Sequence, residues 1–93
     1  MRARYSAYVL GQMQFVFETW HADTRPPRDE LLHDPAIKWL GLEVRKHVPG
    51  ERESRVEFVA RSKNGGRAQR LHEISRFVRE DGRWFYIDGV FPD

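Results

Sequence analysis

The apolar residues of this chain change their spacing near position 36, and that change limits the possible fold more than any other feature. Before it, Tyr5, Tyr8 and Val9 share one face of a helix, and a second helical stripe runs from Met13 to Trp20. After it, apolar and polar residues alternate, as they do in strands with one buried face. Helices followed by strands predict an α+β domain in which the helices cover one face of an antiparallel sheet.

We predict three helices followed by about four strands within a single domain, 1–93. Gly11 separates the first two helices, and Pro26 and Pro35 bound the third. The predicted helices cover 2–10, 12–20 and 27–33, and the predicted strands cover 38–48, 54–63, 67–80 and 83–90.

Composition excludes several classes of function. The chain has no cysteine, which removes disulfides, thiolate metal ligands and a Cys nucleophile, and its four histidines lack the spacing of a zinc site. We therefore expect no metal and no cofactor. Basic residues alternate with acidic ones at a net charge of +2, so there is no one-signed patch for nucleic acid. No apolar run is long enough for a membrane span or a signal peptide, which predicts a cytoplasmic protein without membrane contact.

The pair Asp81-Gly82 is the strongest hairpin signal and sets the register of the last two strands. If that register continues unchanged, one face of the hairpin carries Glu73, Ser75, Phe77, Trp84, Tyr86 and Asp88. The opposite face then presents an apolar surface large enough to predict a weak homodimer. The residues of that surface are Ile74, Val78, Phe85 and Ile87.

Six sequence blocks occur in a familiar order, namely MRARYSAYVLGQ, ETWH, WLGLEV, VEFVAR, HEISRF and GRWFYIDG. Together they resemble the middle domain of the YchJ family of uncharacterised bacterial proteins. The resemblance implies a nuclear-transport-factor-2-like fold, in which helices and a curved antiparallel sheet enclose a cone-shaped cavity. Family members carry SEC-C-type zinc motifs beside this domain. The cysteine-free chain therefore resembles an excised middle domain or a short form, and zinc-linked partner binding is not carried over.

Combined with the hairpin register, the implied cone predicts a pocket of aromatic and acidic residues. Tyr86 and Asp88 would face the first two helices and meet Trp20 and His21 there. The whole predicted pocket is Tyr5, Tyr8, Trp20, His21, Trp39, Glu73, Ser75, Phe77, Trp84, Tyr86 and Asp88. The expected partner is a small molecule or the end of a peptide.

Glu73 and Asp88 are the candidate catalytic residues, because neighbouring carboxylates in an apolar cavity acquire different pKa values. In the structural alternative, Glu73 pairs with Arg4 or Arg61, and Asp88 caps or bonds Ser75 and His21. Three functions stay open: a binding module with an open cavity, an interaction domain with a filled cavity in a larger zinc-motif protein, and a small isomerase or hydrolase. The residue pattern favours binding over catalysis.

Overall fold

A computed structural model describes residues 2–31 and 36–92. Its elements are α1 (Arg2–Leu10), α2 (Met13–Glu18), a 3-10 turn (Arg28–Glu30), β1 (Ile37–Val48), β2 (Glu53–Asn64), β3 (Arg67–Glu80) and β4 (Arg83–Val90). The strands form an antiparallel sheet in the order β1-β2-β3-β4. The predicted α+β order and the four strands are confirmed. Across the described ranges, no helix has the length and apolar character needed to cross a membrane.

The prediction of a third α-helix over 27–33 is wrong. Residues Arg28–Glu30 form one 3-10 turn, and the residue before them, Pro27, provides no side-chain cap. Leu31 leaves helical geometry with a ψ of 83° and packs against the core of the first two helices. The tertiary packing of Leu31 and the low helical stability of so short a segment account for the single turn. The predicted helix positions Leu32 and His33 lie outside the described residues.

Residues 19–21 leave α2 and bond to the free edge of β4. The backbone N–H of Tyr86 donates to the Thr19 carbonyl at 2.8 Å, and the N–H of His21 donates to the Tyr86 carbonyl at 2.7 Å. Trp20, between them, forms an isolated bridge with Tyr86. The second predicted helix, 12–20, therefore ends early, because its last residues satisfy the edge of the sheet instead.

Alternate residues of β2 and β3 form the side of the sheet that faces the helices. Phe58 lies opposite Glu73 and Val56 lies opposite Ser75, and all four side chains are buried. The small core between the helices contains Ala7, Met13 and Val16. The helices thus cover the sheet face that period-two spacing assigned to the interior.

The turn between β3 and β4 has the predicted form. Asp81 and Gly82 have φ angles of 52° and 77°, as a two-residue hairpin turn of type I′ requires. The predicted pairing holds over the next residues and includes Phe77 opposite Tyr86. The hairpin prediction is therefore confirmed near its turn.

Farther from the turn, a bulge at Ile87 shifts the register by one residue. Asp88 lies opposite Arg76 rather than Ser75, and Gly89 takes the place opposite Ser75. The extra residue turns the Asp88 side chain to the outer face, where Arg76 Nε and Nη2 donate to it at 2.8 and 2.6 Å. The prediction that Asp88 faces the helices is wrong for this reason.

The outer face of the sheet combines ion pairs with a narrow apolar strip. The residues predicted for a homodimer contact are all half-buried, and they are Ile74, Val78, Phe85 and Ile87. Val59, opposite His72, is 0% exposed on this same face. The homodimer stays a prediction.

The buried position of Val59 generates a stability prediction. Val59→Ala removes two methyl groups from a closed environment and should lower the free energy of unfolding by about 2 kcal/mol. Val48, 47% exposed near the end of β1, is the matched control. Val48→Ala should cost about 0.5 kcal/mol or less. Urea unfolding of both variants measures the difference, and equal losses would contradict the burial of Val59.

Candidate functional site

A cavity of about 370 Å³ lies between α1, Trp20 and the inner face of the sheet, and we call it the aromatic cavity. Its volume falls in the range of roughly 300–1,000 Å³ that is typical of small-molecule sites. Its aromatic lining residues are Tyr5, Tyr8, Trp20, Trp39, Phe58, Tyr86 and Phe91, and its other lining residues are Arg4, Ala60, Leu71, Glu73 and Ser75. Seven of the eleven residues predicted for the pocket therefore lie together.

Two groups of aromatic rings form walls of the aromatic cavity. Tyr5 and Tyr8 are one turn apart on α1 and both pack on Trp39, at ring-centroid distances of 5.7 and 6.3 Å. Trp20 and Tyr86 pack edge to face at 5.1 Å. The edge-to-face contacts of Tyr5 with Trp39 and of Trp20 with Tyr86 are a preferred geometry of aromatic pairs.

Arg4 is a buried cation beside the second wall, with 6% of its surface exposed. Its Nη1 donates to the Val16 carbonyl at 3.1 Å and to Thr19 Oγ1 at 2.6 Å. Its guanidinium carbon lies 5.4 Å from the centre of the Trp20 ring and 4.9 Å from that of Tyr86. Burial lowers the pKa of Arg4 from its ordinary value of 12.5. The hydrogen bonds and the ring faces replace the water that this cation has lost.

Glu73 is the carboxylate of the aromatic cavity and is 7% exposed. Its Oε2 accepts hydrogen bonds from Ser75 Oγ at 2.7 Å and from the Tyr86 hydroxyl at 3.1 Å. Within the described residues no group donates to the other oxygen, Oε1, and no buried side-chain oxygen lacks a partner. Oε1 therefore keeps access to the open space of the cavity.

Two tyrosine hydroxyl groups of the cavity, those of Tyr8 and Tyr86, have pKa values above their ordinary value. Burial, followed by the charge of Glu73, raises the pKa of Tyr86 above its usual value of 10.0. Burial also raises the pKa of Tyr8, while the positive charge of Arg4 opposes that shift. Both tyrosines therefore act as neutral hydrogen-bond donors near pH 7.

Four predicted pocket residues lie outside the aromatic cavity. Phe77 and Trp84 line a wider groove of about 700 Å³ near the start of α1 and the turn between β1 and β2. His21 Nε2 lies 2.6 Å from Glu80 Oε2, which holds its ring on the far side of β4. Asp88 is on the outer face, as described above. The carboxylate of Glu80 holds His21 outside the cavity, and the guanidinium of Arg76 holds Asp88 outside it.

Sequence reasoning did not include five lining residues in the pocket, and they are Arg4, Phe58, Ala60, Leu71 and Phe91. Two of them carried a usable signal. Arg4 precedes Tyr8 by four residues and so shares its helix face. Phe58 lies opposite Glu73 in the hairpin of β2 and β3, and the pair Gly65-Gly66 between these strands is a turn signal in the sequence. Leu71 and Phe91 are more than one-third exposed at the edge of the cavity, and no pattern in the sequence marks them.

The aromatic cavity contains one carboxylate, because Asp88 lies on the outer face. The argument for acid–base chemistry from two neighbouring carboxylates therefore does not apply to Glu73. Among the described residues, no group of three His, Asp or Glu side chains is placed to hold a metal ion.

Helices lying over one face of an antiparallel sheet, with a cavity between the layers, define a small NTF2-like domain. The family model described as "YchJ, middle NTF2-like domain" matches residues 1–89. The chain belongs to the YchJ family. The resemblance stated from the six sequence blocks is thereby confirmed.

The curated relatives are called UPF0225 proteins. The one from Methylibium petroleiphilum is 59% identical over 90 residues, which are 96% of this chain and 65% of that protein. The one from Chromobacterium violaceum is 52% identical over 94 residues, covering 97% of this chain and 70% of the relative. The chain thus spans about two-thirds of the length of these proteins.

Two solved structures share the fold. The solution structure of a SEC-C motif containing protein from Rhodopseudomonas palustris matches with a TM-score of 0.90 and 32% identity, over 100% of this chain and 76% of that one. The crystal structure of a SEC-C motif containing protein from Psychrobacter arcticus matches with a TM-score of 0.80 and 28% identity, over 100% of this chain and 59% of that one.

The contact between Gly89 and Glu73 generates a second prediction. A Cβ atom at Gly89 would overlap the Glu73 carboxylate, whereas one at Gly41 would meet nothing within 4 Å. Gly89→Ala should push Glu73 away from Ser75 and Tyr86 and lower the unfolding free energy by about 1–3 kcal/mol. Gly41→Ala, the control in another strand, should be neutral or slightly stabilising. Urea unfolding of both variants tests this, and a stable Gly89→Ala protein would contradict it.

The raised pKa of Tyr86 predicts how stability depends on pH. A tyrosine whose pKa is higher in the folded state binds its proton more tightly there, so its contribution is complete below about pH 10 and is lost as pH rises further. Unfolding free energies of the wild type should therefore fall above about pH 10. The unfolding free energy of the Tyr86→Phe variant should fall less steeply over the same pH range. Identical slopes for the two proteins would show that Tyr86 titrates normally.

Proposed function

We propose that this domain binds a small molecule in the aromatic cavity. The observation that carries the proposal is Glu73 Oε1, an oxygen of a 7% exposed carboxylate that faces open space among aromatic rings. This oxygen is in contact with the space of the cavity and receives no hydrogen bond from the described residues, so it is available to accept one. A bound ligand that brings a hydrogen-bond donor would supply that hydrogen bond.

The walls of the aromatic cavity suit a ligand with an apolar or aromatic body. Tyr5, Tyr8 and Trp39 form one group of rings in the lining, and Trp20 and Tyr86 form another. A ring placed between these walls would bury apolar area and gain edge-to-face contacts. The interaction-domain hypothesis required a filled cavity, and the volume of about 370 Å³ favours the binding hypothesis instead.

A cavity-filling substitution tests the proposal. Ala60 is 2% exposed on the floor of the aromatic cavity, so Ala60→Leu should occupy its space and abolish binding without unfolding the protein. Ala68→Leu is the control, because Ala68 is exposed in β3 and does not line the cavity. Binding is measured with small aromatic amides, alcohols and amines in ¹H–¹⁵N spectra.

The three tryptophans provide an internal reference for this experiment. The indole N–H signals of Trp20 and Trp39 report on the aromatic cavity, and that of Trp84 reports on the other groove. Probes should shift the first two signals in the wild type and in Ala68→Leu, and neither signal in Ala60→Leu. If no probe shifts Trp20 or Trp39 in the wild type, or if Ala60→Leu binds equally well, the proposal fails.

A further inference from the structure

The aromatic cavity has unused hydrogen-bonding capacity of both kinds. Glu73 Oε1 is an acceptor without a donor among the described residues. The Tyr8 hydroxyl lines the same cavity near the Arg4 guanidinium, which can only donate, so Arg4 does not take the proton of that hydroxyl. Within the described part of the chain the proton of Tyr8 is given to no other group, and it remains available to a ligand.

The charges that line the aromatic cavity balance. Arg4 supplies a buried cation and Glu73 a buried anion, and the negative charge of Glu73 acts on Arg4. A ligand cation would be attracted by Glu73 and repelled by Arg4, and a ligand anion would be attracted by Arg4 and repelled by Glu73. Either would also lose its hydration on entering a buried site, at a cost of several kcal/mol in general. An uncharged ligand avoids that cost.

We propose that the aromatic cavity takes an uncharged, flat ligand that donates an N–H or O–H to Glu73 and accepts a hydrogen bond from Tyr8. A primary carboxamide or a lactam on an aromatic ring has these two groups side by side. This inference rests on the proposed function, because it specifies the chemistry of a ligand for the same cavity. Tyr5, Trp39 and Trp20 would pack on the ring of such a ligand.

Four probes of similar size separate the elements of this proposal. Benzamide carries both the donor and the acceptor without charge, toluene carries neither, benzoate adds a negative charge, and benzylamine adds a positive charge at neutral pH. Each is titrated into the wild-type protein, and the indole N–H signals of Trp20 and Trp39 give the affinity while Trp84 serves as the reference. Benzamide should bind at least about tenfold more tightly than any of the other three.

Two variants test whether Glu73 and Tyr8 cause the preference for benzamide. Glu73→Gln leaves the charge of Arg4 unbalanced, so the preference for benzamide over benzoate should fall by about tenfold or reverse. Tyr8→Phe removes the hydroxyl that would donate to the ligand, together with its contact to Arg4, and should weaken benzamide binding by a few-fold to about tenfold while leaving toluene binding unchanged. Tyr8→Phe also serves if Glu73→Gln does not fold.

The outcomes distinguish this inference from the proposed function. If toluene, benzoate or benzylamine shifts Trp20 and Trp39 at an affinity equal to or above that of benzamide, the cavity binds ligands but the inferred ligand class is wrong. If the benzamide preference is present but unchanged in both variants, Glu73 and Tyr8 do not cause it and the inference fails. If no probe shifts either signal, the proposed function and the inference fail together.

Discussion

The buried guanidinium of Arg4 is the interaction on which the rest of the structure depends. It reaches from α1 to the Val16 carbonyl and Thr19 hydroxyl near the end of α2. It also lies against the rings of Trp20 and Tyr86. A buried cation is tolerated where hydrogen bonds and opposite charge replace water, and here they come from α2, β4 and Glu73. The same group therefore joins the two helices and balances the charge of the cavity.

The bulge at Ile87 determines the chemistry of the aromatic cavity. Without it, Asp88 would lie on the inner face, where a second carboxylate beside Glu73 would raise the cost of burying negative charge. With it, Asp88 pairs with Arg76 on the outer face, and Gly89 leaves room for Glu73. One inserted residue thus produces a cavity with a single anion to match its single cation.

The parts of the fold that follow from local rules could be predicted from the sequence. The change from helical to alternating spacing located the four strands, and the Asp81-Gly82 turn paired the last two near their turn. The bulge could not be predicted, because it depends on the match between Asp88 and Arg76 across strands rather than on a local pattern. The prediction of a third helix was wrong for a related reason. Leu31 is held by tertiary packing, while the segment that contains it has little helical stability.

A ligand in the aromatic cavity, as proposed, would also add to the connection between the helical layer and the sheet. Residues 19–21 attach α2 to β4 through two backbone hydrogen bonds, whereas α1 meets the sheet mainly through the ring contacts of Tyr5 and Tyr8 with Trp39. A ligand bound between Tyr8 and Glu73 would add a direct link from α1 to β3. A ligand that binds only the folded state stabilises it in proportion to the logarithm of the ligand concentration. Occupancy of the cavity would therefore strengthen the attachment of α1 to the sheet, which the protein itself makes with few polar contacts.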